Sequence, residues 1–144
     1  MASIHKSITI NAPVEKVFAF MQDPMNNLKT MPSMQAVSDI QALANGGNSF
    51  RWKYKMAGIT FDGQSQDTAI IPNQFMEVAS KGGISSTWKW MYKADGSATK
   101  LSLDLEYTVP VPVLGKLAEA LIVKTNEQEA QLMMDNIKLY CEAG

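Results

Sequence analysis

Hydrophobic and polar residues alternate along much of the first 110 residues of this chain, in short runs separated by turn signals. Ile8 and Ile10 alternate with Thr9, and the pattern is clearest at 50–56, where aromatic and apolar residues alternate with basic ones. Alternation of this kind is typical of strands that are buried on one face. The same reasoning predicts five more strands, at 35–44, 59–71, 74–80, 84–93 and 101–108.

Turn signals predict how these strands pair. Asn45-Gly46-Gly47-Asn48, Ala57-Gly58, Gly82-Gly83 and Asp95-Gly96 each separate two predicted strands. Strands joined by tight turns pair antiparallel, so the middle of the chain is predicted to be a meander. Gly63 lies inside the long segment 59–71 and predicts a bulge there, which leaves open which side chains of that segment face inward.

Helical periodicity appears at both ends of the chain. Pro13 and Glu15 suit the first turn of a helix that carries an apolar stripe and ends at Asp23-Pro24, and a second short helix is predicted at 25–31. From residue 113 to about 142, apolar residues recur at three- and four-residue steps, although 124–131 is polar. This pattern predicts a C-terminal helix about 40 Å long.

These elements together predict an α+β helix-grip fold. A curved, seven-stranded antiparallel sheet is expected to wrap around the long C-terminal helix, with two short helices after strand 1. The 144 residues are expected to form a single domain, 1–144. A straight helix laid across a curved sheet leaves space between the two, and such a space is suited to a small ligand.

The inward faces of the predicted strands and helix supply the candidate ligand-binding residues. They are Trp52, Tyr54, Met56, Trp88, Trp90, Tyr92, Tyr107, Leu121 and Thr125. Tyrosine and tryptophan combine a large apolar face with one polar group that needs a partner when it is buried, which suits a mostly apolar ligand with a few oxygens. Tyr54 and Tyr92 are the strongest candidates for that reason. Inward aromatic residues more often fill the core, and this interpretation stays open.

Composition and charge narrow the possible partners. The net charge is −1, which gives no reason to expect nucleic acid. Cys141 is the single cysteine, so no intrachain disulfide can form. The N-terminus is polar, and no apolar run approaches the ~18 residues of a membrane span. A cytoplasmic protein without an integral membrane segment is expected, and the oligomeric state is left open.

The sequence predicts no catalytic residue, metal site or cofactor. His5 is the only histidine and is expected to face solvent, so a Ser-His-Asp or Cys-His arrangement has no support. Cys and His together number two, too few for a typical zinc site. Asp62 or Asp67 would become a candidate acid–base group if a bulge at Gly63 turned it inward.

Four segments of the chain resemble the START-like superfamily, also called Bet v 1-like or SRPBCC, and within it the small polyketide cyclase/dehydrase-type proteins. They are NAPVEKVFAFMQDP at Asn11–Pro24, GITFDG at Gly58–Gly63, GGISSTWKW at Gly82–Trp90 and EYTVPVPVLGKLAEAL at Glu106–Leu121. The resemblance implies the same helix-grip fold. It extends to lipid and sterol carriers, ubiquinone-binding proteins, aromatase/cyclases, hormone receptors and ribosome-associated toxins, so it leaves the function open.

Three hypotheses for the function follow. The first is non-enzymatic binding or carriage of a small, mostly apolar ligand such as a lipid, a quinone or an aromatic polyketide. The second is a polyketide aromatase/cyclase that uses Tyr54, Tyr92 and an inward Asp67, although the only arginine, Arg51, is on the outer face. The third is a protein-interaction module without a functional cavity. A cavity of ~300 Å³ or more separates the third from the others, and a buried, inward carboxylate with a raised pKa favours the second.

Overall fold

The computed structural model describes residues 1–143, and at Val111, Val113 and Leu117 it describes the backbone alone. Seven antiparallel strands form one curved sheet in the order β1-β7-β6-β5-β4-β3-β2. The strands are β1 (Ala2–Ile10), β2 (Met34–Ala42), β3 (Asn48–Met56), β4 (Ile59–Ile71), β5 (Phe75–Gly82), β6 (Ser86–Asp95) and β7 (Ala98–Tyr107). Six of them follow each other as hairpins, which confirms the predicted meander.

Two short helices follow β1, as predicted. Helix α1 (Val14–Gln22) turns Val17 and Phe18 into the core. A 3-10 turn at Pro24–Asn26 then leads into α2 (Asn27–Thr30). The side chain of Asp23 accepts a hydrogen bond of 3.0 Å from the backbone N–H of Met25, which caps this turn.

The C-terminal segment is helical but is not one continuous helix from residue 113. It consists of α3 (Val111–Leu114), a 3-10 turn (Lys116–Ala118) and α4 (Glu119–Glu142). Gly115 separates α3 from the turn with a φ of 91°, in the left-handed region that interrupts a right-handed helix. The predicted start of the long helix was therefore six residues too early. The 24 residues of α4 still span about 36 Å, enough to cross the sheet.

The predicted bulge at Gly63 is wrong. Gly63 pairs in regular register with Trp52 on β3 and with Gly82 on β5, and the irregularity of β4 falls between Asp67 and Ala69. Gly63 is needed for close packing instead. A Cβ atom there would lie 2.3 Å from the Trp52 ring and 2.4 Å from the backbone oxygen of Lys81. Regular alternation through this part of β4 turns Phe61, Ser65 and Asp67 inward.

The core is packed most tightly where the second half of α4 crosses β1 and β7. Leu101, Leu103, Met134 and Ile137 are at most 1% exposed. Cys141 is also buried there. The remaining space lies on the same concave face of the sheet, farther along it toward β3 to β6.

Candidate functional site

A cavity of about 150 Å³ lies between the concave face of the sheet and α4. Its walls are mainly aromatic and apolar. All three tryptophans of the chain line it, and so do six of the ten methionines, namely Met21, Met31, Met34, Met56, Met76 and Met133. Methionine side chains are flexible and polarizable, so these walls can adapt to the shape of a bound molecule.

Six of the nine predicted site residues line this cavity. They are Trp52, Tyr54, Met56, Trp88, Trp90 and Tyr107. Tyr92 is buried but lies outside the lining, where its ring makes an edge contact with Phe18 at 5.0 Å between centroids. The prediction that Tyr92 lines the cavity is therefore wrong, and contact with a ligand remains a prediction for the six that do line it.

Leu121 and Thr125 lie on the outer surface of α4, and the prediction that they line the cavity is wrong. Leu121 is 69% exposed, and the Thr125 hydroxyl donates only to the Leu121 carbonyl of its own helix. The apolar stripe of the sequence mixes two faces of α4, because Leu132 and Tyr140 are exposed as well. The face that lines the cavity carries Asn126, Glu129, Ala130, Met133 and Ile137.

Glu129 links α4 to the sheet across the cavity wall. One of its carboxylate oxygens accepts a hydrogen bond of 2.9 Å from the Tyr54 hydroxyl, and the other accepts one of 2.5 Å from the Ser33 hydroxyl. Burial raises the pKa of Tyr54, and the Glu129 carboxylate raises it further, so Tyr54 stays a neutral donor. Glu129 and Asn126 were missed by the sequence reasoning. The sequence signal for them was the polar stretch 124–131, because two of its polar side chains lie on the face of α4 that lines the cavity.

Asp67 is the buried acid of the site. It lines the cavity at 5% exposure, whereas Asp62 on the same strand is exposed. One carboxylate oxygen of Asp67 accepts a hydrogen bond of 2.8 Å from the backbone N–H of Asn48. Burial raises the pKa of Asp67 above its ordinary value, and the hydrogen bond from Asn48 offsets part of this rise. Asp67 is thus the aspartate that faces inward, and it does so without the bulge at Gly63 that was expected to turn it.

The raised pKa of Asp67 predicts a pH-dependent stability. The folded protein keeps the proton of Asp67 at pH values where the unfolded chain, with a pKa near 3.8, has lost it. Wild-type stability must therefore fall as the pH rises from the unfolded pKa to the folded one. Asp67→Asn has no proton to lose and keeps an oxygen for Asn48. We expect its free energy of unfolding, measured by urea denaturation, to lack this decline.

Asp62→Asn is the matched control, because it removes an exposed carboxylate from the same strand. Its pH profile should follow that of the wild type. If Asp67→Asn also followed the wild-type profile, the buried carboxyl group would not have the raised pKa inferred from its burial.

His5 and Cys141 do not line the cavity. His5 is on the outer face of β1, as predicted, with Nδ1 at 2.7 Å from a carboxylate oxygen of Asp104. Burial raises the pKa of the Cys141 thiol to about 11. Within residues 1–143, no group of three or more His, Cys, Asp or Glu is placed to hold a metal ion. No helix in the same range is long and apolar enough to cross a membrane.

Comparisons with solved structures find the same architecture in several proteins. TTHA0849 from Thermus thermophilus superimposes with a TM-score of 0.83 at 16% identity, covering 97% of each chain. The Zhui aromatase/cyclase from Streptomyces sp. R1128 superimposes with a TM-score of 0.82 at 15% identity, covering 98% of this chain and 93% of that one. A START superfamily protein from Mycobacterium smegmatis gives 0.64 at 16% identity, covering 92% and 97%. Likeness at these identities shows the fold alone.

Sequence comparison shows the family. No curated protein matches the chain. A family model described as polyketide cyclase/dehydrase and lipid transport matches residues 1–142, nearly the whole sequence. The match agrees with the seven-stranded sheet and the long C-terminal helix. This chain therefore belongs to the polyketide cyclase/dehydrase and lipid transport family and has its START-like helix-grip fold.

Proposed function

We propose that this protein binds a small, mostly apolar molecule in the cavity between the sheet and α4. The observation that carries the proposal is the composition of the wall, in which three tryptophans and six methionines surround a few polar groups. Ligand sites are typically concave, mainly apolar and oriented by a small number of polar atoms. Tyr54, Asp67 and Tyr107 supply such atoms here.

The volume of the cavity limits the size of the ligand. At about 150 Å³ it is half of the ~300 Å³ expected for a drug-sized ligand. An apolar cavity of roughly 150 Å³ is known to hold benzene. A ligand of one or two rings therefore fits better than a long lipid chain. A ligand of two rings enters if the methionine side chains move aside. The same volume supports the alternative of an interaction module that binds no ligand.

Native mass spectrometry of the protein purified from its own host tests the proposal. We expect a mass in excess of the chain that disappears on denaturation, and extraction of the denatured sample should identify a ring-containing apolar molecule. A protein of bare mass that also binds none of a panel of small aromatic compounds would contradict the proposal and favour the interaction module.

Catalysis is a second candidate function, and Asp67 is the observation that favours it. An inward, buried carboxyl group with a raised pKa keeps its proton to a higher pH than an exposed one, which suits a general acid. The Zhui aromatase/cyclase shares the fold. Arg51, the only arginine of the chain, is exposed on the outer face of β3, so a cyclase mechanism here would rely on Asp67 and Tyr54, because Tyr92 does not line the cavity.

The two candidates differ in what Asp67→Asn should change. If the protein is a cyclase, the products formed from a poly-β-keto chain in its presence should change with this substitution, while binding of a stable aromatic ligand persists. If it is a carrier, the products formed in the presence of the wild-type protein should be the same as those formed without any protein.

The cellular location and the absence of a nucleic-acid partner remain predictions. The net charge of −1 supports the second of these, because binding to phosphates requires a basic surface. Fractionation of the host cells and a nucleic-acid retention assay would check them.

A further inference from the structure

Four hydroxyl-bearing residues lie side by side across the concave face of the sheet. Strand pairing places Ser65 on β4 opposite Ser80 on β5, and Ser80 opposite Ser86 on β6. Ser86 in turn lies opposite Tyr107 on β7. All four line the cavity, and we call them the hydroxyl row. Because neighbouring strands are about 4.8 Å apart, the row crosses the cavity wall with one hydroxyl-bearing residue at roughly that interval.

Hydrogen bonds within the protein already use the row as acceptors. Ser86 Oγ accepts from Trp88 Nε1 at 2.9 Å, and Tyr107 Oη accepts from Asn126 Nδ2 at 3.0 Å. The Oγ atoms of Ser65 and Ser80 are 2.5 Å apart, so one donates to the other. A hydroxyl has one proton to donate. Among the described residues, the protons of Ser86, of Tyr107 and of one member of the serine pair find no acceptor.

The indole of Trp52 adds a donor to the same wall. Trp52 is 6% exposed, and its ring packs over Gly63, two residues before Ser65 on the inward face of β4. Its Nε1–H has no hydrogen-bond partner within residues 1–143. An indole N–H can only donate, and a buried donor without an acceptor is unfavourable. The hydroxyls of the row and the indole N–H of Trp52 therefore both have hydrogens to donate and lack acceptors.

We propose that the cavity selects ligands that carry acceptor oxygens, above all carbonyl groups, along one edge of an otherwise apolar ring. This inference rests on the proposed function and adds the chemical class of the molecule. A carbonyl-bearing ring accepts hydrogen bonds from the row and offers no competing donor. A hydrocarbon of the same shape fills the space but leaves these protons unpaired. Ring ketones, cyclic diketones and imides belong to the selected class.

Two probes of similar shape separate the contribution of the acceptors from that of the apolar ring. Indane has no acceptor, whereas N-methylphthalimide has two carbonyl groups and no donor. Tyr107→Phe removes one unpaired proton and keeps the aromatic ring. We expect this variant to weaken the Kd of N-methylphthalimide by about threefold to tenfold, the value of one neutral hydrogen bond. The Kd of indane should stay within about twofold, by isothermal titration calorimetry.

Ser86→Ala is a second variant with the same expected result, so the test does not depend on one substitution. Matched controls lie outside the cavity. Tyr140→Phe removes the hydroxyl of an exposed tyrosine, and Ser102→Ala removes a hydroxyl that pairs with Ser7 across β1 and β7 on the outer face. Neither control should change the affinity for either probe.

The outcomes distinguish this inference from the proposed function. Equal losses for both probes in Tyr107→Phe and Ser86→Ala, or no loss for N-methylphthalimide, would overturn the selectivity for acceptors and leave ligand binding intact. If the wild type bound neither probe, the proposed binding function would fail, and the selectivity with it.

Discussion

Gly63→Ala is expected to destabilise the protein by about 3 kcal/mol, at the upper end of the usual cost of overpacking. The new Cβ would lie 2.3 Å from the Trp52 ring and 2.4 Å from the backbone oxygen of Lys81. The indole can shift toward the cavity, but the carbonyl belongs to β5, which is paired with β4, and cannot move without disturbing that pairing. Urea denaturation followed by circular dichroism measures the loss.

Gly96→Ala is the control for the loss of a glycine as such. Gly96 has a φ of 61°, and no atom lies within 4 Å of the position of its Cβ. Its replacement should therefore cost only the left-handed strain of about 1 kcal/mol. Equal losses of stability in the two variants would show that the close approach of Trp52 and Lys81 to Gly63 does not determine its effect.

Ala130→Phe is expected to abolish most of the ligand binding without unfolding the protein. Ala130 is buried on α4 and lines the cavity. A space of about 150 Å³ accepts a benzene-sized molecule, so it also accepts a phenyl ring attached to the helix. The attached ring takes the place of the ligand's own buried ring, which is worth roughly 1.5–3 kcal/mol. The Kd of indane should weaken by about 10- to 100-fold by calorimetry.

Gln128→Phe places the same ring on the exposed face of the same helix and should leave the affinity unchanged. The stability of Ala130→Phe should equal or exceed that of the wild type, because the ring fills space that is otherwise unpacked. Wild-type affinity for indane in a folded Ala130→Phe would place the ligand elsewhere and contradict the proposed site.

Local patterns of the sequence predicted most of the fold. At β3, alternation separated Trp52 and Met56, which are buried, from Arg51, which is exposed. This succeeds because the period of a strand is two whatever its partner is. A different rule failed at Gly63: a glycine inside a strand often marks a bulge, but this one allows close packing against Trp52 in regular register. The reason lies on neighbouring strands and is not visible in the segment itself.

The candidate site was predicted in part for a related reason. Six residues on strands were placed correctly at the cavity wall, because alternation determines the inward face of a strand. On α4, apolar residues at helical spacing occur on two faces, so Leu121 was assigned to the cavity although it is exposed. The inward face was instead marked by polar residues, Asn126 and Glu129, whose partners Tyr107 and Tyr54 come from the sheet.

The sequence by itself determined the order of strands and helices, the antiparallel meander and the aromatic lining contributed by the strands, since these depend on local periodicity and on turn residues. Only the tertiary structure decided which face of α4 meets the sheet, that Asp67 is buried, and that three serines and Tyr107 form one row. These features depend on the register between strands and on the packing of a helix against distant segments. Register and packing minimise the free energy of the whole chain, so no single segment specifies them.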